Sequence, residues 1–127
     1  MTVPTPDPEH RSMHPAKRAA LVRRIEVGWQ NQALCRKFRA DDWFPSPADW
    51  QTVAEVVEVC TRCPVRTSCL VTALAMGEEH GIWGGATEAD RAYGLAALSR
   101  GVSVPHVLDQ LQTTTQHATD DRERGAA

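Results

Sequence analysis

A chain of 127 residues with a formal charge of -2 is long enough for one small domain and carries no global charge signal for nucleic acid or membrane. No apolar run approaches the roughly twenty residues that span a bilayer, and the polar, proline-rich opening TVPTPDPEHRS is unlike a signal peptide. A cytoplasmic setting without membrane contact is therefore expected, and in that reducing compartment the four cysteines point to metal or redox chemistry rather than a standing disulfide framework.

In chain order, residues 1–14 hold three of the eight prolines and no apolar period, so they are expected to be disordered. The run PAKRAALVRRIEV then puts Ala19, Val22 and Val27 on one stripe with Leu21 and Ile25 beside it, which predicts an amphipathic helix ending at Gly28. Trp29 to Lys37 reads as a second short helix, and RADDWFPSPADW as an ordered loop carrying Trp43 and Phe44. Ser46 is placed as an N-cap, with Pro47 at the first helical position and Asp49 completing a capping box, for a helix that runs to Cys60.

The Cys63-Pro64 step turns the chain, because the residue before proline resists the α region. Val65 to Met76 is the next predicted helix, with Cys69, Leu70, Ala73 and Leu74 or Met76 inward and Gly77 at its end. Three glycines, Gly81, Gly84 and Gly85, surround Ile82 and Trp83 and predict a tight turn that displays an indole. Thr87 to Arg100 reads as a helix opened by Thr87 and Asp90 and closed by Gly101, and a short fifth helix follows Ser103 and ends near Gln112. Residues 113–127 lack period and apolar content and are expected to be disordered. The fold class is then all-α, four to five short helices over 15–112 with disordered termini, and no strand pattern or internal repeat competes with it.

Residues 1–39 hold eight of the fourteen Lys and Arg against three acids, a segment that reads either as a solvated face or as a surface for phosphate or an acidic protein. About 70 residues look able to form a core, near the size at which metals or cross-links become necessary.

Cysteines at positions 35, 60, 63 and 69 are spaced x24, x2 and x5. Cys35, Cys60, Cys63 and Cys69 are expected to converge on one pocket. Zinc ribbons usually pair two Cys-x2-Cys knuckles, and here only Cys60 and Cys63 form one. An iron-sulfur cluster tolerates irregular spacing of its thiolates, with Arg62 and Arg66 able to offset the anionic charge. A redox dithiol at Cys60 and Cys63 is the third fate, though that motif usually follows a strand. His80 is read as a solvent-facing turn residue, and His10, His14, His106 and His117 are assigned no ligand role.

Together these residues are specific enough to carry a resemblance. Trp29-x5-Cys35, Trp43-Phe44-Pro45, Cys60-x2-Cys63-Pro64-Val65-x3-Cys69-Leu70, Glu78 and Gly81-Ile82-Trp83-Gly84-Gly85 with Thr87-Glu88 resemble the WhiB-like proteins, iron-sulfur transcription factors of actinobacteria and their phages. The match covers about 29–91. It implies a four-iron, four-sulfide (4Fe-4S) cluster on Cys35, Cys60, Cys63 and Cys69 that responds to nitric oxide and oxygen. It also implies a partner, the C-terminal domain of the primary sigma factor with RNA polymerase, met by Trp29, Trp43, Phe44 and Trp83.

The resemblance implies a regulator rather than an enzyme, with promoter DNA reached mainly through the sigma complex. The arginine-rich segment common after the Gly-Trp turn is here ATEADRAYGLAALSRG, with Arg91 and Arg100 alone, which weakens direct DNA contact from this end. A zinc-stabilised adaptor without redox response and a cluster-free dithiol-disulfide reductase are the competing readings.

Overall fold

The computed structural model describes residues 13–113, and the expectations of disorder at 1–12 and 114–127 lie outside the described residues. Five α-helices, α1 (Pro15–Val22), α2 (Trp50–Thr61), α3 (Arg66–Met76), α4 (Glu88–Ser99) and α5 (104–113), are joined by three 3-10 turns at Trp29–Gln32, Leu34–Lys37 and Ala40–Trp43. The protein is a small all-α fold. Among the described residues there is no strand, only an isolated bridge between Trp83 and Ala86 that closes the Gly-Trp turn.

Ordering begins earlier than expected. Met13 is buried among the helices, and the His14 imidazole Nδ1 accepts the Ala16 amide at 3.0 Å to cap α1. This helix also stops earlier, at Val22, and its buried face differs from the predicted stripe: Leu21 is fully buried with Ala20 and Ile25 beside it, while Val22 and Val27 face solvent. The cause is tertiary, since the Glu26 amide leaves the helical pattern to donate to Ser68 Oγ on α3 at 3.2 Å. The predicted helix from Trp29 to Lys37 is broken into two 3-10 turns by Ala33, whose ψ of 126° is extended.

A further correction concerns the cap of α2. Ser46 closes only a local turn, accepting the Ala48 amide, and the N-cap is Asp49, whose carboxylate accepts from the Thr52 amide at 3.2 Å. Asp49 wins because its short acidic side chain reaches a free amide and its charge suits the helix N-terminus. The other boundaries agree with the spacing argument: α3 ends on Gly77 in the left-handed region at φ 67°, with Leu74 buried and Met76 exposed. Thr87 and Asp90 form the reciprocal capping box of α4.

Two apolar cores result. The first joins Met13 and Leu21 to Leu70, Val71 and Leu74 of α3, Leu95 and Leu98 of α4, and Val104, Val107, Leu108 and Leu111. The second is smaller and gathers Trp43, Val56, Val57, Val59, Cys60 and Ile82, with Leu34, Cys35 and Val53 at its margin. α3 belongs to the first core and packs against α1, α4 and the first 3-10 turn.

Candidate metal centre

Each cysteine arrives on a different local structure. Cys35 lies in the second 3-10 turn, Cys60 in the last turn of α2, Cys63 in the Cys-Pro turn, and Cys69 in the first turn of α3. Their packing follows from the second core, because the 3-10 turns lie against α2 and bring Cys35 back to the helix that carries Cys60. All four thiols line one cavity of about 700 Å³. They are free thiols. Among the described residues no three His, Cys, Asp or Glu side chains form a group that could hold a single metal ion, while all four thiols line the one cavity.

The environment of the sulfurs combines burial with directed N–H groups. Burial pushes the Cys69 thiol up to about 12, opposed by the Gly84 amide, and the Cys60 thiol up, opposed by the Trp43 indole and the Gly85 amide. Cys35 is raised by burial and by the nearby Cys63, and the Leu34 amide donates to Cys63 Sγ at 3.4 Å. Thiols held up in this way are weak nucleophiles at neutral pH. As thiolates they would be electron-rich donors already supplied with hydrogen bonds.

Glycine is required where the Gly-Trp turn meets α3. Gly84 has φ 58°, and a Cβ there would lie 2.6 Å from the Arg66 carbonyl and 2.7 Å from Leu70 Cβ. Gly81, at φ 82°, underlies the Phe44 ring, which a Cβ would meet at 2.6 Å. The Ile82 amide donates to the Trp43 carbonyl at 2.8 Å, so this turn and the Trp43-Phe44 loop form one wall. Arg66 lines the cavity while its Nε donates to the Gly84 carbonyl at 3.0 Å, whereas Arg62 is exposed and away from it.

Trp29, Trp43, Phe44 and Trp83 all line the same cavity, but they differ in what they offer outward. Trp29 and Trp43 are each 8% exposed, Phe44 is 58% exposed, and Trp83 is half-buried with its indole N–H on the His80 carbonyl at 2.9 Å. The first two are walls of the cavity. Phe44 and Trp83 form its outer rim.

A family model described as transcription factor WhiB matches residues 29–93, the stretch from the first 3-10 turn into α4. The chain belongs to the WhiB family. It is 42% identical over 66 residues to the transcriptional regulator WhiB of Streptomyces coelicolor, covering 52% of this chain and 74% of that protein. It is also 38% identical over 68 residues to the transcriptional regulator WhiB1 of Mycobacterium tuberculosis, covering 51% and 81%, and 38% identical over 74 residues to WhiB2 of the same species, covering 58% and 76%. The protein is thus a WhiB-family transcriptional regulator, and its four thiols are a donor set consistent with a metal cluster.

Two contributors to this WhiB-family site were not assigned from sequence. Glu88 accepts the Gly81 amide at 2.8 Å, and Arg91, read only as one of two remaining basic residues, is 1% exposed beneath the Gly-Trp turn. The sequence signal for Glu88 was its place beside the Thr87 cap; an arginine on a helix gives no sign of burial by itself.

Proposed function

We propose that this protein is a redox- and nitric-oxide-responsive transcriptional regulator that holds a 4Fe-4S cluster on Cys35, Cys60, Cys63 and Cys69 and grips the C-terminal domain of the primary sigma factor. The observation that carries the reading is the arrival of four thiols from three separate elements at one cavity with an aromatic rim. A single zinc at about 2.3 Å from each sulfur would draw its ligands to within about 4 Å of one another, whereas a cluster holds them wider, so the metal content decides between the two. When bound, such a cluster supplies one-electron chemistry and reactivity toward nitric oxide and oxygen.

The chain's own residues orient and protect. The Leu34, Gly84 and Gly85 amides and the Trp43 indole direct N–H groups at sulfur, Arg66 brings a cation to the anionic site, and Trp29 and Trp43 exclude water from it. Phe44 and Trp83 present the apolar anchors, of the aromatic type in which interface energy concentrates. Loss of the cluster would loosen the loops that carry this rim, which couples redox state to partner binding.

Anaerobic purification tests the first part: a brown protein absorbing in the blue, with iron and sulfide in equal amounts, is expected, and a colourless zinc protein would return the adaptor reading. Cluster-free protein whose Cys60 and Cys63 dithiol reduces disulfide substrates, itself becoming the disulfide and being regenerated by an added thiol reductant, would favour the reductase. For the partner, Trp83→Ala should cost about 2 kcal/mol of affinity for the sigma domain. Unchanged capture would remove Trp83 from the interface.

DNA contact by the protein alone should be weak, with promoter DNA met mainly through sigma factor and RNA polymerase. Arg91 is buried, which leaves Arg100 as the exposed arginine of α4 and its cap. Exposed cations lie instead at Arg23, Arg24, Arg36, Lys37 and Arg39. Any duplex binding should fall by about 0.9 in log K per log unit of salt for each phosphate neutralised. Neutralising Arg23 and Arg24 tests this better than deleting residues 1–27, which would also remove Met13 and Leu21 from the core.

A further inference from the structure

Arg91 heads the largest fully buried side chains of the protein, and no step above uses it. It stands on the first turn of α4 and reaches under the segment from Glu78 to Ala86. Nη1 donates to the Gly81 and Ala86 carbonyls, each at 2.7 Å; Nη2 donates to His80 at 3.2 Å and Glu78 at 3.3 Å, and Nε to Glu78 at 3.3 Å. One planar fork thus collects four carbonyls from nine residues of chain.

The segment's ends are held by their carbonyls, and between them lie Gly84, which lines the thiol cavity, and Gly85, where an added Cβ would meet Cys60 Cβ at 3.4 Å. Those glycines adopt left-handed conformations, and the reciprocal Trp83–Ala86 bridge closes their turn without fixing where the turn sits against the thiols. Arg66 holds the Gly84 carbonyl at the centre of the turn and Glu88 holds the Gly81 amide at its start, one carbonyl or amide each. Among the described residues only Arg91 ties the two ends of the turn, Gly81 and Ala86, to the same atom.

We infer that Arg91 is the positioning residue of the metal centre: its buried guanidinium clamps the Glu78 to Ala86 segment by its carbonyls and thereby seats Gly84 and Gly85 against the thiol cavity. The inference rests on the reading of the four thiols as a metal site. It does not depend on which metal they hold. Arginine is needed because its fork offers five N–H donors in fixed directions, whereas a lysine offers three from one point and cannot span Glu78 to Ala86. Glu88, Glu78 and Asp90 stand near enough to offset the buried charge.

Full-length Arg91→Lys and Arg91→Met, purified without air, should be compared with the parent by amide hydrogen exchange. Exchange at Gly84 and Gly85 should rise about tenfold or more in both variants, while amides of α1 and α5 stay protected, since losing hydrogen bonds to a charged donor frees the segment locally. Metal release to a chelator should quicken in the order parent, lysine, methionine. Full protection of Gly84 and Gly85 in Arg91→Lys would overturn the clamp, as would a rise of equal size in every helix, the mark of general destabilisation. If Arg91→Met does not fold, the lysine variant decides alone. A zinc-loaded parent would defeat the iron-sulfur reading yet leave the exchange test intact.

Discussion

The two cores of this small domain are built on different terms. The seven apolar side chains among the largest fully buried ones, Leu21, Leu70, Val71, Leu74, Leu95, Leu98 and Val107, all belong to the first core. The second core has none of them, and beside it lies the cavity of about 700 Å³ lined by thiols and aromatic rings. One half is closed by its own side chains and by helices with side-chain caps on α1 and α4. The other joins α2, capped by Asp49, to three 3-10 turns without side-chain caps, around the cavity. Under the proposed function the cluster occupies that space.

Metal removal should expose this contrast most strongly. Stripping the protein anaerobically is expected to abolish exchange protection across 29–61, because metal binding free energy is folding free energy for elements that carry ligands, while α1, α4 and α5 remain protected and α3, though it carries Cys69, is held by Leu70, Val71 and Leu74 in the first core. Uniform loss across all helices would show instead that the halves fold as one. In the stripped protein pH should act in a known direction. Cys69, on α3, is raised from an ordinary 9.0 to about 12, so the fold favours its neutral thiol. That contribution is complete below about pH 9 and is lost as pH climbs toward 12, which a series of thermal melts would follow.

Leu74→Ala breaks the comparison from the other side. Leu74 is fully buried in the first core, and its truncation should cost about 2–5 kcal/mol in denaturant unfolding. Metal content per folded molecule should be unchanged. A variant that binds less metal while folded would mean that the first core sets the geometry of the cysteines.

The smallest test applies one chemical change to both halves. Thr87→Ala and Asp49→Ala each delete a helix N-cap worth about 1 kcal/mol. Removing the cap of α4 should lower the overall unfolding midpoint. Removing that of α2, whose last turn carries Cys60, should appear chiefly as faster metal release to a chelator. Equal effects of the two on metal release would erase the distinction between the halves.

Much of this was legible in the residues themselves. Helix ends declared by local chemistry, Gly77, the Thr87 box and the Cys63-Pro64 turn, stand where their φ preferences and hydrogen-bonding groups put them, because such signals act within a few residues. The cysteine spacing and the three glycines likewise marked the site, since four thiols and a turn at positive φ are costly without a reason. Only the tertiary structure decided which face of α1 is buried, that Ala33 breaks a helix, and that Asp49 rather than Ser46 caps α2. It alone decided that Trp29 and Trp43 are walls while Phe44 and Trp83 are rim, and that Arg91 lies beneath the turn. Periodicity states that a side chain could be buried; whether it is depends on what arrives from elsewhere in the chain, as the Ser68 hydroxyl does at Glu26 and the Gly81 and Ala86 carbonyls do at Arg91.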